Sequence, residues 1–258
     1  MKPTKTLFVT AALILGSMGA QAADFVQNGN YLTVQLKQHQ NYGPSQIRLQ
    51  VVNDRIIRVQ ATAEQSFRSK QSLIIVPQKG KANYKVEEQG DDLIITTAAM
   101  RAVLNEATGQ ITFYDLKNQV LLKEVAQGGK TFKPFTVPDR EIGVDIAKVP
   151  DAQKHGWSWR ALFDSPDNEA FYGLGQHQSE ELNMKGKNED LFQYNTKVSV
   201  PFVISNKNYG ILWDSYSYCR WGNPDDYLQL NRAFKLYDKD GKEGQLTGTY
   251  VAKNGQKI

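Results

Sequence analysis

This sequence has no means of covalent cross-linking within itself. Cys219 is its only cysteine, so no disulfide can close inside the chain and the fold must rest on its packed core. Histidine is scarce as well. His39, His155 and His177 stand at none of the short spacings of zinc ligands, and HExxH does not occur. The expected metal and cofactor content is therefore none. Gly173-x-Gly175 lacks both the lysine and the helix start of a phosphate loop, and no G-x-S-x-G elbow offers a serine nucleophile. Cys219 has no histidine or cysteine near it in sequence to activate it, and reads as a small buried side chain.

Charge of one sign is also missing. Of the formal net charge of +4, Lys2 and Lys5 contribute two, and no arginine block is threaded with aromatic residues. That balance gives no reason to expect nucleic acid as a partner. Beyond residue 22 no window keeps a helical period of apolar residues.

What is present begins with an export signal. Residues 1–22, MKPTKTLFVTAALILGSMGAQA, carry two lysines, a short apolar run over 7–15 and the small-x-small site Ala20-Gln21-Ala22. This predicts a cleaved signal peptide, a mature start at Ala23 and residence in the periplasm or outside the cell. The apolar run is too short for a transmembrane helix, and no cysteine follows it to carry a lipid.

Alternation of period two dominates the mature chain. Residues 31–36 read YLTVQL, and 47–59 read IRLQVVNDRIIRV around the turn former Asn53-Asp54. A short strand is predicted at 73–76, closed by Pro77. Hairpins are predicted over 84–97 and 100–115, with a further turn at Asn118 before 120–122. The stretch 127–154, with Pro134, Pro138 and Pro150, reads as a crossing segment. Strands return at 157–163, 198–204, 210–213 and 234–237. Short strands and tight turns without helices predict an all-β fold, a β-sandwich over residues 23–240. Residues 241–258 read as the start of a truncated following domain or a linker.

Candidate chemistry gathers in FYGLGQHQSEELNMKG, residues 171–186. Glu180 and Glu181 are adjacent, so on an extended strand they point to opposite faces and cannot flank one glycosidic bond unless the backbone turns between them. His177, beside Gln176 in a glycine-rich turn, is either a plain loop histidine or a contributor to a sugar-binding rim. Asp238-Lys239-Asp240-Gly241 opens like a calcium loop but has no terminal glutamate to complete it. Trp157, Trp159, Trp213 and Trp221 suit a β-core or a sugar surface equally. No self-sufficient catalytic set emerges.

Read together, Phe171-Tyr172-Gly173-Leu174-Gly175, Val200-Pro201-Phe202 and Tyr209-Gly210-Ile211-Leu212-Trp213-Asp214-Ser215 resemble the late N-terminal region of glycoside hydrolase family 31, nearest its bacterial α-xylosidases. Ile47-Arg48-Leu49-Gln50-Val51 and Ile56-Ile57-Arg58-Val59 look like that family's opening strands. The resemblance implies a galactose-mutarotase-like β-sandwich preceding a (β/α)₈ barrel that holds both catalytic aspartates of a retaining mechanism, so neither Asp164 nor Asp214 is the nucleophile. By position, residues 189–196, EDLFQYNT, resemble a loop leaning over the barrel mouth. Gln193, Tyr194 and Asn195 are then its sugar contacts, with His177 at the same rim; packing against the barrel would account for the loop equally well.

Leu236-Tyr237 and Leu246-Thr247-Gly248 resemble the entrance to an inserted domain of α-xylosidases acting on xyloglucan fragments. The implied partners are a xylose- or glucose-containing oligosaccharide and the chain's own barrel, and the fragment alone is expected to be inactive. A stand-alone carbohydrate-binding sandwich and an α-glucosidase of the same family are the alternatives. An aldose epimerase would need His177 and Glu180 to converge in a cleft, a poor match.

Overall fold

The structure, a computed structural model, describes residues 25–37, 41–67, 71–77, 80, 82–136, 148, 150, 155–178, 181–215, 217–222, 236–237, 239–240 and 242–244. The expected signal peptide, His39, Glu180, both ends of the Asp238–Gly241 turn and residues 246–248 lie outside them. The described residues are all-β, in several sheets, with neither an α-helix nor a closed barrel among them. They fall into two compact units that divide between Asp167 and Asn168.

The first unit is built on two antiparallel sheets. One runs in chain order through β1 (Phe25–Asn28), β2 (Tyr31–Gln35), β3 (Gln46–Asn53) and β4 (Ile56–Thr62). The other contains β5 (Lys85–Gln89), β6 (Asp92–Thr96), β7 (Arg101–Asn105), β8 (Ile111–Tyr114) and β9 (Val120–Lys123). Alternation decides which side chains are hidden. On β3, Ile47, Leu49 and Val51 are fully buried between outward-facing Arg48 and Gln50. Register places Leu32 opposite Leu49 and Val34 opposite Ile47, so buried residues meet across the ladder. Leu93, Ile95, Ala102, Leu104 and Ile111 of the second sheet share that core, as two sheets packed face to face require. Each fully buried aliphatic side chain here contributes about 1.5–3 kcal/mol.

Two sequence expectations are corrected in the first unit. Residues 73–76 form no strand: Leu73 and Val76 are exposed, and the Ser72 hydroxyl accepts from the Ile74 and Ile75 amides in a local turn. Among the described residues this run joins no ladder, and an apolar run becomes a strand only where an edge is there to pair with it. Conversely, the segment read as irregular contains β10 (Lys130–Thr136), which forms a seven-pair ribbon with β11 (His155–Ala161). Pro134 is tolerated because a two-stranded ribbon leaves one side of each strand without ladder bonds.

The second unit has a three-stranded sheet of β12 (Phe171–Gln176), β14 (Val198–Ser205) and β15 (Tyr209–Leu212), with β14 central. β13 (Glu189–Leu191) pairs with β16 (Cys219–Trp221), and β17 (Leu236–Tyr237) with β18 (Glu243–Gly244). Phe171, Leu174, Met184 and Val203 form its core. Trp221 closes the core, edge-on to both Phe171 and Trp213 at 5.3 and 5.5 Å, while its indole N–H donates to the Met184 carbonyl at 3.0 Å. Two of the four tryptophans are thus core residues of this unit.

β14 carries an exposed apolar outer face. Val203 and Ser205 point inward, while Val198, Val200, Phe202 and Ile204 are exposed. Tyr172 opposite Ile204 and Leu212 opposite Phe202 extend this outer face onto both neighbouring strands.

Candidate functional site

The glycine-rich stretch of the sequence folds into a bulged strand. Gly173, Leu174 and Gly175 all have positive φ, of 132°, 67° and 98°, and the β12–β14 register shifts between the two glycines. A side chain at either glycine would strike β14: a Cβ at Gly173 would lie 2.6 Å from the Phe202 carbonyl oxygen, and one at Gly175 2.0 Å from that of Val198. The glycines therefore serve a close backbone approach rather than a phosphate. Leu174 between them sits in the left-handed region at a cost of about 1–3 kcal/mol. The same geometry buries its side chain completely in the unit core.

The bulge also aims the Leu174 carbonyl at His177, whose Nε2 lies 2.7 Å from it. The other ring nitrogen, Nδ1, lies 3.1 Å from Oε2 of Glu189, an ion-pair distance off the axis of a hydrogen bond. The His177 side chain is only 4% exposed. It is turned into the unit, beneath the segment that follows Glu189.

That segment, residues 192–197, holds the other expected site residues. Phe192, Gln193, Tyr194, Asn195 and Thr196 are all exposed. Phe192 and Tyr194 stack with ring centroids 5.6 Å apart and an interplanar angle of 34°. Asn195 has φ 48°, a conformation that asparagine tolerates better than most residues. The turn around it is closed by the Lys197 amide donating to the Tyr194 carbonyl at 2.9 Å. The Gln178 side-chain amide donates to the Thr196 hydroxyl and ties the segment to the end of β12. At its base, the Tyr218 phenol donates to Oδ1 of Asp190 at 2.6 Å; partial burial, then that carboxylate, raises the phenol's pKa.

The structure thus gathers His177, Gln193, Tyr194 and Asn195 in one corner of the second unit, His177 inward and the other three outward. Phe192, Glu189 and Lys197 were not singled out from sequence. The aromatic spacing of Phe192 and Tyr194 was the available signal for one of them, because side chains two apart on extended chain share a face.

Glu181 is paired on the surface with Lys187. Cys219 is half-buried on β16, its thiol donating to the Ser217 carbonyl at 3.3 Å. Among the described residues no group of three or more His, Cys, Asp or Glu side chains could hold a metal ion, and no helix is long and apolar enough to cross a membrane.

Residues 46–221 match the glycosyl hydrolase 31 N-terminal galactose mutarotase-like domain. The chain belongs to that family. In structure it is similar to the GH31 alpha-xylosidase of Xanthomonas citri, with 37% identity and a TM-score of 0.68, over 92% of this chain and 23% of that one. In sequence it is 27% identical over 178 residues to an uncharacterised family 31 glucosidase of Pseudescherichia vulneris. It is 25% identical over 185 residues to an alpha-xylosidase of Saccharolobus solfataricus. The matches span only 32% and 23% of those two curated relatives.

Proposed function

We propose that this chain is the N-terminal part of an exported, retaining α-glycosidase, an α-xylosidase acting on xyloglucan-derived oligosaccharides in the periplasm or outside the cell. The observation that carries this reading is the likeness to the Xanthomonas alpha-xylosidase over nearly the whole chain. In this reading the parent protonates the glycosidic oxygen and attacks the anomeric carbon with carboxylates beyond the 258 residues, and water then releases the sugar with its configuration retained. The second unit supplies the rim. Gln193 and Asn195 offer amides, and Tyr194, stacked on Phe192, offers an amphipathic ring of the kind that binds sugar faces. The exposed outer face of β14 is covered by the rest of the parent, its own barrel.

A second reading, an α-glucosidase of the same family, is favoured by the Pseudescherichia relative. The choice rests on whether the parent's site excludes the C6 hydroxymethyl of glucose, a matter of shape.

Purified residues 23–258 are expected to turn over neither an aryl α-xyloside nor an aryl α-glucoside. The parent, expressed from the gene read beyond codon 258, is expected to prefer the xyloside. Turnover by the fragment above a boiled control overturns the reading. A native stop codon with a sugar-binding product replaces it with a stand-alone binding module.

A further inference from the structure

The exposed segment 192–196 has no buried side chain of its own to hold it. Besides the Gln178–Thr196 hydrogen bond, one carboxylate ties it down. Oε2 of Glu189, on β13, lies 3.1 Å from Nδ1 of His177 at the end of β12 and 3.2 Å from Nζ of Lys197 just before β14. Glu189 and Lys197 flank the segment, so their ion pair closes its two ends like a clasp. Both are largely shielded, with side chains 14% and 15% exposed. Shielding makes such a pair worth more than an ordinary surface one.

The hydrogen-bond chemistry adds a constraint. A carbonyl only accepts, so the 2.7 Å contact with Leu174 assigns a proton to Nε2 of His177. Nδ1 then faces an ionised carboxylate, which also only accepts. That contact is attractive when Nδ1 carries a proton as well and repulsive when it presents a lone pair. Oε2 of Glu189 faces this ring, and Lys197 pairs with the same oxygen.

We propose that Glu189 is a positioning residue that, through Lys197 and His177, sets how residues 192–196 are presented to an oligosaccharide. Its sugar-facing consequence rests on the reading given under Proposed function; the clasp itself does not. It assigns Glu189 and Lys197 no contact with sugar. They act through Gln193, Tyr194 and Asn195.

Hydrogen exchange on residues 23–258 tests this, with amides of 192–197 compared against β14 as an internal reference. Glu189→Gln and Lys197→Met are each expected to speed exchange in the segment about tenfold, as for loss of a charged hydrogen bond, with β14 unchanged. Lys197→Arg restores slow exchange. Should Glu189→Gln loosen β14 as well, the Lys197→Met and Lys197→Arg pair decides.

Segment exchange that neither lysine variant changes overturns the clasp, whatever the sugar does. In the parent enzyme the same variants are expected to raise KM for the oligosaccharide with kcat little changed. A loosened segment with unaltered KM leaves the clasp standing and overturns the sugar-contact reading.

Discussion

The phenol of Tyr209 donates to Oε1 of Glu169 at 2.6 Å, and the hydroxyl of Ser205 reaches the same oxygen at 2.6 Å. The Glu169 side chain is almost wholly enclosed, with Lys207 as its cationic neighbour at 3.6 Å. This carboxylate ties the β14–β15 turn to the start of β12. Burial first, and the Glu169 contact second, raise the Tyr209 pKa above its ordinary value of 10.0. The folded state therefore holds that proton more tightly than the unfolded chain. Its contribution is fully present below about pH 10 and is lost as pH rises towards the folded value. Denaturant titrations of residues 23–258 from about pH 8 to about pH 11 should show stability falling along this limb. Tyr209→Phe should flatten the limb while costing about 1–3 kcal/mol at neutral pH. An unchanged alkaline slope in the variant would assign the limb to other groups.

The ion pair between Glu124 and Lys130 lies inside the first unit, and Oε2 of Glu124 also accepts from the Ile111 amide at 2.8 Å. Burial raises the carboxyl and lowers the ammonium, so desolvation opposes both charges. Lys130→Met should then cost about 3–5 kcal/mol, because it strands a carboxylate in the interior. Adding Glu124→Gln, which keeps an oxygen for Ile111, should recover much of that loss. A double-mutant cycle in urea checks it, and strictly additive single effects would show the two side chains to be uncoupled.

Gly175 is the position where the second unit tolerates least. Its φ of 98° and the 2.0 Å approach of the Val198 oxygen leave no room for a methyl group. Gly175→Ala is expected to cost more than about 4 kcal/mol, or to prevent folding of the sheet, because the obstacle is backbone and cannot rotate aside. Gly156→Ala is the control, since nothing lies within 4 Å of a Cβ there. Near-ultraviolet circular dichroism and soluble yield compare the two.

An exposed apolar ladder of four β14 side chains with Tyr172 and Leu212 across the register is a large patch for one small sheet. The isolated chain is expected to self-associate through it at micromolar concentrations. Phe202→Thr combined with Ile204→Thr should restore a monomer in sedimentation velocity while leaving the inward side of β14 undisturbed. Association that survives the pair of substitutions would place the sticky surface elsewhere.

Much of the fold was legible because alternation is a local property. Leu32, Val34, Ile47, Leu49 and Val51 announce one buried face each time a polar residue separates them. At 73–76 the same apolar signal misled, since whether an apolar run pairs depends on a neighbouring edge that no window of sequence contains. β10 was hidden for the opposite reason, Pro134 and its two lysines masking a partner strand that begins only at His155. The candidate site divides along the same line. Gly173 and Gly175 could be read as a turn, and residues 192–197 as an exposed polar segment. The meeting of His177, Glu189 and Lys197 could not be read, because it depends on how the bulge at Leu174 turns one carbonyl.

The lone thiol has a practical side. Cys219 stands opposite Leu191 in the β13–β16 ladder, one residue from Phe192, and no other sulfhydryl in the chain competes with it. A fluorophore or nitroxide attached at this native position of the 258-residue chain would report on the neighbouring aromatic pair without any engineered anchor.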